Sequence, residues 1–361
     1  MTYTINDKLT VLLSTVKGMT FHRMDLLLST YGTADEVFRN ATGANFVLPE
    51  LTESIKSVMD KQVLSDLFNR LEDDEISVVT RGMREYPDLN FADAPHVLYV
   101  KGDLPLIKKG GLAVVGSRSC SSYGLSVASR IGKAAALGGI TVISGGAKGI
   151  DAAAQKAAIE NGGSSIAVLG CGVNVAYPKE NKDLFNNILE NGALVSEYPP
   201  DTPPYQSHFP ARNRIISGLC DMLAVVEASV KSGTRSTVTF AQEQGKEIMC
   251  VPGNITSEQS QGTNLLIKQG SKILTSPEDI YPFFGKNTPK SDKKIIVLTP
   301  DERPVVDALK KEFELSLDEL AIKCNNSPSK IAALLTLMEL RNIVKRSAGS
   351  LYTLNRENEY K

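Results

Sequence analysis

Hydrophobic residues recur at every third or fourth position through the first 75 residues, which is the spacing of one buried face of an α-helix. Gly18, Gly32 and Gly43 separate the periodic stretches. These stretches are KLTVLLSTV, TFHRMDLLLSTYG, TADEVFRNATG and LTESIKSVMDKQVLSDLFNRLEDD. The pattern predicts a small all-helical domain over residues 1–75.

From Ile76 onward the period changes, and short apolar runs alternate with amphipathic stretches that mostly end at glycine. Strands that are apolar throughout and joined by helices are typical of a parallel sheet that is covered on both faces. Residues 76–285 are therefore predicted to form an α/β core. Its strands are predicted at ISVVT, LAVVG, ITVIS, SIAVLG, ALVSEY, MLAVVEA and EIMCVPG.

The last part of the chain has a third pattern. Residues 286–298 are polar and basic, and we interpret them as a linker. Residues 299–361 contain three helical stretches, with Ser316 and Ser327 as candidate N-caps, followed by the hairpin-like run KRSAGSLYTLN. Three helices and a hairpin predict a winged helix-turn-helix domain.

Composition excludes several classes of function. The net charge is −1, so binding of a polyanion requires a local basic patch. The five cysteines are widely separated and the three histidines lie in different segments, so we predict no disulfide framework and no metal site. The N-terminus resembles neither a signal peptide nor a membrane span, and we expect a cytoplasmic protein.

Candidate chemistry follows the predicted strands, because ligands of open α/β sheets bind beyond the carboxyl ends of the strands. Glycine-rich turns there expose backbone amides, and the following helix N-termini add partial positive charge. Asp151 is interpreted as a brace for one turn. The candidate anion-binding residues are Gly116, Ser117 and Arg118, then Gly145, Gly146 and Lys148, then Lys231 and Arg235, with Arg212 and Arg214 from HFPARNR.

Several ligands compete for this crevice. A dinucleotide site needs an acidic residue at the end of the strand that follows LAVVG in the chain. That strand ends VISGG, without an acidic residue. Phosphoryl transfer needs a Walker lysine and a metal-binding carboxylate, and serine catalysis favours a G-x-S-x-G turn; none of these patterns occurs. A polynucleotide backbone fits better, with Tyr123, Tyr205 and Phe209 as candidate surfaces for base stacking.

The ordered motifs of the core resemble the DNA-processing protein A (DprA, or Smf) family. The resemblance extends over about residues 76–279 and is carried by GSRSCSSYG, SGGAKGIDAAAQKAAI, LGCGVNVAYPKENKDLF, LVSEYPP, HFPARNRIISGL, VVEASVKSGT, AQEQGKEIMCVPG and QGTNLLIKQGSKIL. It implies a Rossmann-like core, a SAM-like N-terminal domain and a winged-helix tail.

The resemblance also implies a function. Family members are single-stranded DNA-binding recombination mediators that protect incoming strands during natural transformation, load the recombinase RecA and form homodimers, without a cofactor or catalysis. Carried over by motif position, the family's DNA pocket comprises Gly116, Ser117, Arg118, Gly145, Gly146, Lys148, Arg212, Asn213, Arg214 and Lys231.

Two other functions stay open as alternatives. Related phosphoribohydrolases use a glutamate in a PGGxGTxxE loop, but the nearest stretch here, KSGTRSTV, has Ser236 and Thr237 in that neighbourhood. A duplex-DNA regulator would use the winged helix, whose candidate recognition helix offers mainly Lys330 and Arg341. We therefore predict a protein that is not an enzyme and interpret the tail as a protein-contact module.

Overall fold

In the computed structural model the chain forms two compact units, Met1–Thr288 and Pro289–Lys361. The structure describes residues 2–230, 232–288, 294–312, 314–346, 350–355 and 358–361. Lys231, one of the candidate DNA-binding residues, lies outside the described residues. Within the described residues, no helix combines the length and the apolar character needed to span a membrane.

The first 75 residues fold into helices, as their periodicity predicts. Side chains of Thr4, Thr20 and Thr33 accept hydrogen bonds from backbone amides in the first turns of three of them, which fixes where these helices begin. The helices are α1 (Ile5–Ser14), α2 (Phe21–Tyr31), α3 (Ala34–Asn40), α4 (Thr52–Lys56) and α5 (Lys61–Asp73).

The buried residues of these helices share one hydrophobic cluster with residues of the sheet, and the separate domain over residues 1–75 stays a prediction. Leu13, Leu27 and Ile55 pack in one continuous buried cluster with residues of the sheet such as Tyr99 and Leu194. The change of period at Ile76 is real, since the first strand begins there. It marks the boundary between a helical layer and the sheet that the layer covers.

The sheet of the first unit contains nine strands in the described residues, in the order β1-β2-β6-β5-β4-β3-β7-β8-β9. All neighbouring strands from β6 to β9 in this order are parallel. At the other edge, β2 pairs antiparallel with both β6 and β1. The strands are β1 (Ile76–Thr80), β2 (Val97–Gly102), β3 (Leu112–Val115), β4 (Val142–Ser144), β5 (Ser165–Val168), β6 (Ala193–Ser196), β7 (Met222–Val225), β8 (Glu247–Cys250) and β9 (Lys272–Ile273).

Helices cover both faces of this sheet, as the apolar strands predict. Along β3, Leu112 and Val114 point into the cluster under α6 and α7, while Ala113 and Val115 point into the cluster under α9 and α10. The helices are α6 (Ser122–Leu137), α7 (Ile150–Glu160), α8 (Lys182–Asn191), α9 (His208–Leu219), α10 (Thr234–Glu243) and α11 (Glu258–Lys268).

The strand order reverses between β3 and β7. From β3 the chain runs outward through β4, β5 and β6, and from β7 it runs the other way through β8 and β9. The connections that follow β3 and β7 therefore diverge, α6 to one face and α10 to the other. Such a reversal opens a crevice beyond the carboxyl ends of the two strands, which is the usual ligand site of this architecture.

The second unit has the helices and hairpin that the tail predicts. Ser316 and Ser327 cap α13 and α14, and β12 pairs antiparallel with β13. Residues 294–296 of the expected linker instead form a strand that pairs with β14. The elements are β10 (Lys294–Ile296), α12 (Glu302–Lys311), β11 (Leu315–Ser316), α13 (Leu317–Lys323), α14 (Pro328–Leu340), β12 (Val344–Arg346), β13 (Leu351–Leu354) and β14 (Asn358–Tyr360).

The cations of α14 and its C-cap are engaged within this unit. Arg341 forms an ion pair with the buried Glu302 and donates to the carbonyl of Val297 at 2.9 Å. Lys330 lies 3.6 Å from a carboxylate oxygen of Asp301. The charge of Arg341 is therefore engaged with a buried carboxylate, whereas the Lys330 pair is exposed and weak.

Candidate nucleic-acid interface

A crevice of about 1010 Å³ lies at the reversal between β3 and β7. Three segments supply most of its lining: the turn after β3, the first half of α9, and the turn that leads from β7 into α10. Ala147 and Asp151 from the turn after β4, and Tyr177, also line it. Of the candidate residues, the structure brings six together here, namely Gly116, Ser117, Arg118, Arg212, Asn213 and Arg235.

The N-terminus of α6 is closed by a carboxylate that the sequence analysis did not single out. Glu227, just after β7, is buried, and its two oxygens accept hydrogen bonds from the amide of Ser121 at 2.8 Å and from its hydroxyl at 2.5 Å. A Cβ at Gly124 would lie 2.3 Å from this carboxylate, so only glycine allows the approach. The sequence feature that could have identified Glu227 is its position, as an acidic residue directly after the apolar run MLAVV.

The turn after β4 is closed in the same way. The amide of Gly145 donates to Asp151 at 3.1 Å, and the amide of Gly146 donates to the side chain of Gln155 at 3.1 Å. The Ser117 amide likewise donates to the carbonyl of Glu227 at 2.7 Å. The expectation that open amides at Gly145 and Gly146 contact an anion is thus corrected, whereas the bracing role of Asp151 is confirmed.

Arg212 forms the floor of the crevice. Its guanidinium is buried and donates to the carbonyl of Gly145 at 2.7 Å and to that of Val168. Burial lowers the pKa of Arg212 to about 10, opposed by the nearby charge of Asp151, so the side chain stays charged at neutral pH. A Cβ on Gly145 would lie 2.5 Å from the Arg212 guanidinium, which explains why the first residue after β4 is glycine.

Arg118 has a different environment, at the open side of the crevice. Its side chain is exposed, and its guanidinium carbon lies 5.5 Å from the centre of the Phe209 ring. Among the described residues it has no hydrogen bond or ion pair. Tyr177, which the sequence analysis missed, extends this surface, with its ring centre 5.5 Å from that of Phe209 and an angle of 30° between the rings.

The other two candidate aromatic residues lie elsewhere. The hydroxyl of Tyr123 donates to the carbonyl of Pro252 at 3.2 Å, and Tyr205 lines a second cavity on the far side of α9. The crevice therefore contains an aromatic surface made by Phe209 and Tyr177, and beside it lies the Arg118 guanidinium, which has no partner among the described residues.

Lys148 is beside the crevice and does not line it. Its ammonium forms an ion pair with Glu180 at 2.6 Å, and both side chains are more than half exposed to solvent. Exposed pairs of this kind contribute little to stability, because water and salt screen them.

Arg214 is not among the residues that line the crevice, and its assignment to the DNA pocket stays a prediction that its contacts do not favour. Residues 212 and 214 are two positions apart on α9, so their side chains point to nearly opposite sides of the helix. The guanidinium of Arg214 is buried, forms two 2.7 Å hydrogen bonds with Glu197, and pairs with Asp93 at 3.2 Å. It lies 5.4 Å from the ring of Phe21 in α2, so it joins α9 to the helical layer.

Comparison with known proteins identifies the family. The family model for DNA recombination-mediator protein A matches residues 77–285, and the DprA winged helix domain matches residues 289–350. The chain belongs to the DNA recombination-mediator protein A family. Its core and its tail thus both correspond to parts of DprA.

Several individual DprA relatives resemble the chain. DNA processing protein DprA of Streptococcus pneumoniae is 44% identical over 192 residues, which cover 53% of this chain and 68% of that one. Protein Smf of Escherichia coli is 47% identical over 189 residues, which cover 52% of this chain and 50% of that one.

Two solved structures also resemble it. The X-ray structure of DprA from Streptococcus pneumoniae has a TM-score of 0.65 at 35% identity, covering 78% of this chain and 98% of that chain. DprA from Helicobacter pylori, solved to describe that protein's single-stranded DNA binding mode, has a TM-score of 0.53 at 28% identity and covers 58% and 95%.

In this DprA family member, replacing Glu227 with glutamine should lower the free energy of unfolding by about 1–3 kcal/mol, because one buried hydrogen bond to Ser121 loses its acceptor. Urea denaturation measures this change. The matched control is Glu243→Gln, at an exposed position of α10, which should change stability by less than about 0.5 kcal/mol. Equal effects of the two substitutions would show that Glu227 does not hold the N-terminus of α6.

Proposed function

We propose that the crevice binds single-stranded DNA and that the protein acts as a recombination mediator, protecting incoming strands in natural transformation and loading RecA onto them. The observation that carries this proposal is the Arg118 guanidinium over the Phe209 ring, unpaired within the described ranges, with Tyr177 beside it. Membership of the family and the likeness to a relative described with single-stranded DNA support it.

The geometry favours an unpaired strand over a duplex. Single strands present base faces that stack on exposed aromatic rings, while their phosphates contact nearby cations. In a duplex the faces are stacked on one another and are not available. Arg118 and Arg212 supply the positive charge, and Gly116, Ser117 and Asn213 line the path between them.

The remaining candidate residues have supporting roles in this proposal. Gly145 and Gly146 leave room for Arg212 and for the ring of Phe185, respectively. In this proposal, Lys148 leaves Glu180 to pair with a phosphate of the strand. Lys231 stays a predicted contact, since it lies outside the described residues. Arg214 is assigned to folding, because both oxygens of Glu197 hold it.

We also propose that binding is not followed by catalysis. Among the described residues that line the crevice, Asp151 is the one carboxylate, and it is buried and accepts the amide of Gly145. A general acid or base must reach the substrate, and this carboxylate faces the protein. Two copies of the chain in a homodimer would place two crevices on one strand and strengthen binding by avidity.

Replacing Arg118 with alanine should weaken binding to a fluorescent oligothymidylate about tenfold, the effect of losing one charge-assisted hydrogen bond. The slope of log affinity against log salt should become shallower by about 0.7, the value for one phosphate contact on a single strand. Fluorescence anisotropy at several salt concentrations measures both quantities.

The control is Arg130→Ala, which removes an exposed arginine of α6 that is not among the residues lining the crevice. Duplex of the same length should bind less tightly than the single strand. RecA-catalysed ATP hydrolysis on the strand should rise when the protein is added. If Arg118→Ala binds like wild type, the crevice is not the DNA site; if RecA does not respond, the loading role is rejected.

A further inference from the structure

Arg235 is the other exposed arginine that lines the crevice. It is the second residue of α10, beside Ser232, Thr234 and Ser236, which line the same wall. Among the described residues, its guanidinium has no hydrogen-bonding or ion-pair partner. The charge of Arg235 is therefore not explained by a contact within the described part of the protein.

The location of this charge is unfavourable for the helix itself. The N-terminus of an α-helix carries about half a positive charge, so a cation in the first turn is repelled. The first turn of α10 contains no acidic residue. By contrast, Glu227 hydrogen-bonds at the start of α6, and Asp151 lies in the first turn of α7. Of these three N-termini, that of α10 alone has an added cation and no carboxylate beside it, within the described residues. The Ser232 hydroxyl accepts a hydrogen bond from the Thr234 amide at 3.2 Å but carries no charge.

Arg118 and Arg235 belong to opposite walls of the crevice. Arg118 follows β3 and precedes α6, whereas Arg235 follows β7 in α10. The two strands are parallel neighbours, and their following helices pack on opposite faces of the sheet. Both guanidinium groups therefore line one crevice, and neither is paired within the described part of the protein.

We propose that Arg235, together with the hydroxyls of Ser232 and Thr234, forms a second phosphate site that holds another phosphate of the strand bound at Arg118. This inference rests on the proposed function, since it assumes that the crevice binds a single strand. A phosphate at this position compensates both the dipole of α10 and the charge of Arg235, which accounts for a cation at a place where helices disfavour one.

The test compares substitutions of Arg235 in the full chain, with oligothymidylate as the probe. Arg235→Ala should weaken binding about tenfold and make the log–log salt slope shallower by about 0.7. Combining it with Arg118→Ala should remove about 1.4 from the slope, twice the value for one contact. Arg235→Lys should keep the wild-type slope, because it keeps the charge.

Arg235→Glu separates binding from folding. It places an acidic residue in the first turn of α10, so the melting temperature should stay equal or rise, while binding should fall further than in Arg235→Ala. Wild-type binding by Arg235→Glu would overturn the second site, and weaker binding of Arg118→Ala in the same assay would show that the crevice function still stands. Absence of strand binding by the wild-type protein would reject the proposed function itself.

Discussion

Replacing Arg214 with alanine should lower the free energy of unfolding by about 3–5 kcal/mol, the usual cost of leaving the partner of a buried ion pair uncompensated. The side chain of Arg214 is 4% exposed and that of Glu197 is 10% exposed, so water cannot replace the lost contacts. Chemical denaturation followed by circular dichroism measures the change. We expect this variant to lose DNA binding only under conditions in which it unfolds.

A double substitution tests whether the effect comes from the orphaned carboxylate. Arg214→Met combined with Glu197→Leu replaces both charges by apolar groups and should be more stable than Arg214→Ala. The control is Arg39→Ala, since Arg39 pairs with Asp35 and Glu36 on the surface with 65% of its side chain exposed. It should cost less than about 1 kcal/mol. A loss for Arg214→Ala as small as this would mean that Arg214 does not anchor the helical layer.

Replacing Gly146 with alanine should cost about 2–5 kcal/mol, from two separate causes. The backbone at Gly146 has φ +62°, which costs an L-residue about 1–2 kcal/mol. In addition, the new Cβ would lie 2.5 Å from a carbon of the buried Phe185 ring, and overpacking of this kind adds about 1–3 kcal/mol. Urea denaturation of the variant measures the sum.

Gly139 provides a matched control because its φ is +63° and a Cβ there would meet nothing within 4 Å. Gly139→Ala should therefore show the backbone cost alone, about 1–2 kcal/mol. Adding Phe185→Leu to Gly146→Ala should cost less than the sum of the two single changes, since the smaller side chain leaves room for the Cβ. Equal losses at Gly146 and Gly139, with additive effects of Phe185→Leu, would rule out the steric contribution.

The elements of the fold could be predicted because their signals are local. A strand such as β7 is an apolar run with a glycine-rich or polar turn after it, and Ser327 precedes a periodic stretch in the way that N-caps do. The position of the crevice could be predicted without knowing the strand order, because the carboxyl ends of all parallel strands lie at the same edge of the sheet. Arg118 and Arg235 were recognised for this reason.

What could not be predicted depends on contacts between distant segments. Arg212 and Arg214 look equivalent in the sequence, but the partners that separate them, Gly145 for one and Glu197 for the other, are set by the fold. The same is true of Glu227, whose carboxylate reaches Ser121 across 106 residues of chain. Periodicity identifies the buried face of a helix but does not show what that face packs against, so the packing of the helical layer on the sheet could not be predicted.

The carboxylates at the starts of α6 and α7 have a consequence for selectivity in a cell. They already occupy the positions that a lone phosphate group would take, and an incoming nucleotide would have to displace a buried, hydrogen-bonded side chain. Free nucleotides, present at high concentration, thus gain almost nothing from these helix ends. The proposed binding of a single strand relies on side chains and rings and not on these helix ends, so we expect free nucleotides to compete with it poorly.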